Sequence, residues 1–225
     1  MKFHNDVIMY YMDRILIGTC IDYTHDGKGV VKIDKLPIFV DNLLIGEEAN
    51  IKITKVNKGY SEGKLIELIK VSPNRVKPIC SHYKDCGGCN IQHMCYEEQL
   101  RFKANRVKDV IKRIGGVDIP LPKIHGMDNP YNYRNKVQLP IGELYNGTII
   151  AGFYHQASHQ IINMNECFIE DQDARSVIET LKKLFEKFEI EPCDINSNYG
   201  CIRYVIIRKS LFSNDLLFIS KIFCL

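Results

Sequence analysis

Apolar positions in the first third of the chain recur at period two. The runs ILIGTCIDY, GVVKI, PIFV, EANIKITKV and KLIELIKV are separated by the turn-rich segments HDGKG, DNLLIG and NKGYSEG. Alternation of this kind puts successive side chains on opposite faces of a strand, and glycine, asparagine and aspartate supply the turns. Five short strands with no helical period between them predict a small closed barrel of the OB type over residues 12–71. Residues 1–12 carry no motif. Beyond two prolines the period changes. Tyr96, Leu100, Val107, Ile111 and Ile114 follow one another at steps of three, four and seven, which predicts a helix over 95–114 with one apolar stripe. Gly115 and Gly116 stop it. Its other face carries Arg101, Lys103, Arg106, Lys108, Lys112 and Arg113, a pattern that ordinarily means a solvated surface.

A proline-punctuated connector leads to YRNKVQLPI, which reads as a strand, and TIIAGFYHQ with HQIINM reads as a hairpin. A second helix begins at Asp171, a suitable N-cap, with Ala174, Val177, Ile178, Leu181, Leu184, Phe185 and Phe188 as its core stripe. CIRYVIIRK is a further strand, and LFSNDLLFISKIFCL closes the sequence as an apolar run without a polar finish. The expected fold class is mixed β and α+β: a five-stranded OB-type barrel followed by an α+β domain.

The chemistry concentrates in PICSHYKDCGGCNIQHMCYEEQLRFK, where Cys80, Cys86 and Cys89 stand in a C-x5-C-x2-C array. Thiolates repel one another, so gathering several requires a cation or a cluster. The two-residue gap lets one turn aim two sulfurs at one centre. Gly87 and Gly88 suit that turn and let backbone N–H groups approach the sulfurs. A fourth ligand has two candidates, Cys95 at a helix start and Cys167 in a loop before the second helix. Spacing alone leaves zinc and an iron–sulfur cluster open, because C-x5-C departs from the usual zinc knuckle. His155 and His159 flank a hairpin turn and receive no role.

Composition narrows the picture. Nine cysteines without regular pairing argue against a secreted disulfide scaffold, and no apolar run has the length of a membrane span. A cytoplasmic protein is expected. The net charge of +3 is too small to prove a nucleic-acid partner. Local imbalance says more. Lys52, Lys55, Lys58, Lys64, Lys70, Arg75 and Lys77 face only Glu62 and Glu67, with Tyr60 among them. A basic, aromatic-bearing barrel face suits single-stranded nucleic acid; solvated edge lysines are the plainer reading. Arg134 and Lys136, two apart on one predicted strand and preceded by Tyr131 and Tyr133, form a second candidate for phosphates and stacked bases. No phosphate-binding glycine loop occurs, no strand–helix alternation builds a doubly wound sheet, and no residue is assigned a catalytic role.

The cysteine stretch closely resembles the cluster region of the RNA (uracil-5-)-methyltransferases, the 23S rRNA m5U branch. Cys80, the Cys86-Gly87-Gly88-Cys89 run, Gln92-His93, Tyr96, Gln99-Leu100 and Lys103 carry the likeness, with Tyr133-Arg134-Asn135-Lys136, Gly152-Phe153-Tyr154 and Cys167 further along. The barrel looks like that family's TRAM domain. The resemblance implies a [4Fe–4S] cluster on Cys80, Cys86, Cys89 and Cys167. It implies a central RNA-binding domain over 74–92 and 124–225, and a helix over 93–123 that packs on a methyltransferase domain. It also implies large-subunit ribosomal RNA as partner; no membrane partner is expected, and a monomer is the expectation for an oligomeric state that the sequence leaves open. In the family a thiolate adds to uracil C6, the enolate takes a methyl group from S-adenosylmethionine, and a base removes the C5 proton. No residue here matches those roles, so S-adenosylmethionine is expected only in a full-length relative and the chain is expected to be inactive alone. A truncated or frameshifted product is the expectation for the tail after Lys209. The competing reading is a free-standing RNA-binding module with a structural metal or cluster. A ferredoxin-like carrier needs no basic barrel, and the methylthiotransferases use C-x3-C-x2-C with the TRAM domain at the other end.

Overall fold

The computed structural model describes residues 14–156, 158–194 and 199–222. They divide into two compact units. One runs to Pro78 and resumes over Asn90–Gly126; the other takes Ile79–Cys89 and the chain from Met127 on.

In the first unit five strands, β1 (Ile15–Tyr23), β2 (Gly29–Ile33), β3 (Leu36–Val40), β4 (Glu48–Asn57) and β5 (Tyr60–Lys70), close a barrel in the order β1-β2-β3-β5-β4. All neighbours are antiparallel except β3 and β5. Alternation in sequence becomes alternation in space: Cys20, Val31, Ile38, Val40, Leu43, Ala49, Ile51 and Ile53 fill the interior. Each valine, leucine or isoleucine among them contributes roughly 1.5–3 kcal/mol by leaving water. Gly63 is required by that packing, since a Cβ there would lie 2.6 Å from Ile51 Cγ2. The segment NKGYSEG, read from sequence as a turn, instead begins β5 at Tyr60, because only Lys58 and Gly59 are needed to reverse the chain between Asn57 and Tyr60.

Below the barrel core Glu47 is fully buried and fully used. Its carboxylate accepts from the N–H groups of Leu44 (2.8 Å) and Ser72 (3.1 Å) and takes a two-pronged contact from Arg75, Nε and Nη2 each at 2.6 Å. Arg75 Nη2 also donates to the Asn42 carbonyl. This fork pins the segment after β5 to the barrel.

Helix α1 (Tyr96–Gly115) belongs to the same unit. Its buried face differs from the expected stripe. Glu98, Phe102 and Ala104 are covered, while Val107 and Ile114 are exposed. The reason is a polar anchor: Glu98 accepts from Tyr23 Oη (3.1 Å) and Asn74 Nδ2 (3.0 Å), and Phe102 meets Tyr23 edge-to-face at 5.6 Å. A periodicity count ignores glutamate and so misses this anchor, while Tyr96, Leu100 and Ile111 of the expected stripe are half-buried.

The second unit is a four-stranded sheet in the order β7-β6-β8-β9, built from β6 (Lys136–Glu143), β7 (Ile149–Ala151), β8 (Ile202–Lys209) and β9 (Leu216–Ile222). Helix α2 (Gln172–Lys187) covers one face, where Ala174, Ile178 and Phe185 pack on Val137, Leu139, Ile141, Val205 and Ile207. Asp171 caps the helix by accepting from the Asp173 N–H at 2.9 Å. Leu184 and Phe188, expected in the stripe, are exposed. The expected second hairpin arm, HQIINM, pairs with the first through the Tyr154–Ile161 bridge and through Ile162 N–H to Phe153 O (3.0 Å) and Met164 N–H to Ala151 O (3.3 Å), without forming a regular strand. The apolar tail supplies β9, antiparallel to β8. Among the described residues no helix is long and apolar enough to cross a membrane.

Candidate functional site

The cysteine loop is seated on the second unit by backbone hydrogen bonds. Gly87 N–H donates to Tyr154 O (3.0 Å), Gln156 N–H donates to Asp85 O (2.9 Å), and Gln156 Nε2 reaches Cys86 O (3.3 Å). Cys86 thereby bridges to His155 like an added strand residue. The glycines ease a close fit. A Cβ on Gly87 would stand 3.3 Å from Tyr154 O, and one on Gly88 would press on Cys86 Sγ and Phe153. The Gly88 N–H points at Cys86 Sγ, 3.3 Å away.

Cys86 is buried, and burial is the main force raising its thiol pKa; the nearby Cys89 and Cys80 add to the rise, while the Gly88 amide and Arg134 oppose it. Cys167 lies in the loop before α2. Burial, then the Glu170 carboxylate, push its thiol to about 11 against the N–H groups of Ile169 and Glu170. These residues therefore carry neutral thiols, and a metal centre would have to displace their protons. In donor chemistry they fit an iron–sulfur cluster: soft sulfurs, with backbone amides directed at two of them. Among the described residues, however, no group of three or more His, Cys, Asp or Glu side chains is drawn together as a metal ion would require. Cys95 belongs to the barrel unit, where it precedes α1 and its thiol points at Asn74 Oδ1, 3.9 Å away.

The Cys167 loop is braced from three directions. Asn132, in the left-handed region at φ +52°, donates its N–H to Phe168 O (2.8 Å) and its side-chain amide to Glu170 O (2.6 Å). Arg175 of α2 holds Met164 O (2.8 Å) and pairs with the buried Glu170 carboxylate. Arg134 donates its N–H to Ile169 O (2.9 Å) while its guanidinium reaches Gly88 O (3.2 Å) and lies over Phe153. Arg134 thus ties the Cys86–Cys89 turn to the Cys167 loop. A bend at Asn135 precedes β6, so Arg134 and Lys136 do not share a strand face; Arg134 turns inward and Lys136 stays exposed.

On the barrel, Tyr60 stacks on Phe39, ring centres 4.9 Å apart and planes 24° from parallel. Lys58 occupies the exposed β4–β5 turn, and Lys55 lies beside Glu62 at 3.8 Å. Lys52, half-buried, pairs across the ladders with Ile15 and Lys64.

Residues 19–66 match the family model of the TRAM domain. The TRAM-like segment thus runs from within β1 to within β5. Most of the chain is similar to proteins described as uncharacterized RNA methyltransferases. One from Clostridium tetani is 44% identical over 193 residues, covering 86% of this chain and 42% of the relative. One from Listeria monocytogenes is 41% identical over 201 residues, covering 89% and 44%. The chain spans less than half the length of the curated relatives it matches. Among solved structures it resembles the Pyrococcus abyssi tRNA (uracil-54, C5)-methyltransferase in complex with S-adenosyl-L-homocysteine, with 27% identity and a TM-score of 0.66 over 91% of this chain and 46% of that one.

Of the residues singled out in sequence, the TRAM-like barrel carries Lys52, Lys55, Lys58 and Tyr60, and the second unit carries Cys80, Cys86, Cys89, Cys167, Arg134 and Lys136. Asn132, Arg175 and Phe39 were missed. Asn132 left a faint signal, an asparagine between two tyrosines after a proline. Phe39 left none, since its role depends on which strand β3 adjoins.

Proposed function

We propose that this chain is the RNA-holding, cluster-bearing portion of an RNA (uracil-5-)-methyltransferase. The observation that carries the reading is the fold match along 91% of the chain to a tRNA (uracil-54, C5)-methyltransferase, joined to a TRAM match in the barrel. In this reading Cys80, Cys86, Cys89 and Cys167 hold a [4Fe–4S] cluster, whose role is to close the long stretch of chain between the turn and the distant fourth ligand. Lys52, Lys55, Lys58 and Tyr60 on the TRAM-like barrel, and Lys136 on the sheet, contact RNA. S-adenosylmethionine supplies the methyl group in such enzymes; no residue of this chain is assigned to it. Arg134, committed to Gly88 and Phe153, is left out of the RNA set. The compartment is cytoplasmic.

The RNA is large-subunit ribosomal RNA on the strength of the C-x5-CGGC-x2-QH signature. The tRNA enzyme among the structural neighbours favours a transfer RNA as the second reading. Fluorescence anisotropy with 23S rRNA fragments and with tRNA separates the two, the first predicting tighter binding to a ribosomal fragment at matched salt. Anaerobically purified protein is expected to be brown and to contain iron and sulfide in equal amounts, with Cys86→Ser colourless and poorly folded. Zinc in place of iron, or a brown and soluble Cys86→Ser protein, would sink the cluster assignment.

A further inference from the structure

On the sheet face opposite α2 the ladder places Lys136 directly against Arg208. Both side chains are exposed, and among the described residues neither makes a hydrogen bond or an ion pair. Like charges directly opposite one another in an antiparallel pair destabilise it. Lysines on sheets often guard an edge against strand pairing, but β6 and β8 are the two inner strands of this sheet, so that account does not apply. Nor do neighbouring carboxylates neutralise the pair. Asp171 and Asp173 are taken up by Lys209, which points to the α2 side at 3.1 and 2.6 Å. Gln138 follows on the same face along β6, and Leu217 lies opposite Arg208 on β9. A repulsive pair of cations held side by side by the backbone, with an amide donor two residues away and no acid within the row, is complementary to a phosphodiester.

We propose that Lys136 and Arg208 form a phosphate-binding site for the RNA backbone, a site that takes the place of the Arg134–Lys136 pair suggested by the sequence. The assignment rests on the RNA-binding reading above and adds Arg208 to it. Arg208 can offer two parallel N–H donors to one phosphate, and Lys136 adds a compact charge beside it. The site carries no base specificity, because phosphate contacts fix register and orientation only.

Two readouts move in opposite directions. Lys136→Gln, Arg208→Gln and the double variant are compared with wild type by anisotropy on single-stranded RNA across a salt series, and by thermal unfolding. Each single substitution is expected to lower the slope of log K against log salt by about 0.7, and the double by about twice that. The same variants should unfold at an equal or higher temperature, because a repulsion has been removed. Unchanged salt slopes in variants of a protein that binds RNA normally would overturn the site while leaving the RNA-binding reading standing. A fall in unfolding temperature paralleling the loss of affinity would also overturn it, by making the pair structural. Failure of the wild-type chain to bind RNA would remove the reading and the site together.

Discussion

His93 shows how a single residue sets a pH limit. It is 1% exposed, and burial, with the Arg75 charge beside it, pushes its pKa from the ordinary 6.5 to about 4, against a smaller pull from Glu47. Between those two values the unfolded chain binds a proton that the folded one refuses. Stability therefore falls as pH drops from about 6.5 to about 4, by on the order of 3 kcal/mol. Glu47 acts in the same sense at lower pH. Burial raises its pKa, but Arg75 and the Leu44 and Ser72 amides outweigh burial and hold it below the usual carboxylate range. Its contribution is complete above that range and lost as pH falls through the depressed value. Replacing His93 by glutamine is expected to flatten the urea-unfolding profile of the barrel unit between pH 6.5 and 4. An unaltered slope would show that His93 titrates normally. None of this was legible in the sequence, where His93 appears only as part of a Gln-His pair.

At the level of elements, the match between sequence and structure follows what each signal physically encodes. β1 and β2 coincide with ILIGTCIDY and GVVKI because a half-buried strand writes its two faces directly into alternating residues. Val107 and Ile114 of the α1 stripe stay exposed because a buried glutamate anchors the helix. HQIINM bonds to 151–155 as an irregular hairpin arm, His155 N–H to Gln160 O and Ile162 N–H to Phe153 O, while the cysteine loop bonds to Tyr154 and Gln156 as well. The cysteine spacing identified which thiols belong together in one loop; it held no information about Asn132, Arg134 and Arg175, whose bonds run between segments distant in sequence. Gly152 marks where that docking surface is least tolerant. A Cβ there would collide with the Ile162 carbonyl. Gly152→Ala is expected to pry the 152–162 segment apart and to release the cysteine loop, read as faster alkylation of Cys86, which is 5% exposed in the intact fold. Alkylation at the wild-type rate would show that the segment accommodates the methyl group.

For the molecule as a whole, two separate hydrophobic cores predict two unfolding transitions rather than one. Glu47→Gln removes the buried charge that pairs with the part-exposed Arg75 and should move the barrel's transition by about 1–3 kcal/mol. Gly152→Ala should move the other. Scanning calorimetry in which both variants shifted a single common transition would mean that the two cores unfold as one.

The passage of the chain out of the barrel unit at Pro78 and back at Asn90 has a consequence for synthesis. The loop bearing three thiols is made before the surface that seats it, and Gln156, which grips Cys86, follows 70 residues later. At 5–20 residues per second that is an interval of roughly 4–14 s. During it a nascent chain displays three closely spaced sulfurs with nothing folded around them, so the oxidant level and the cluster supply around the ribosome decide their fate before the finished protein can.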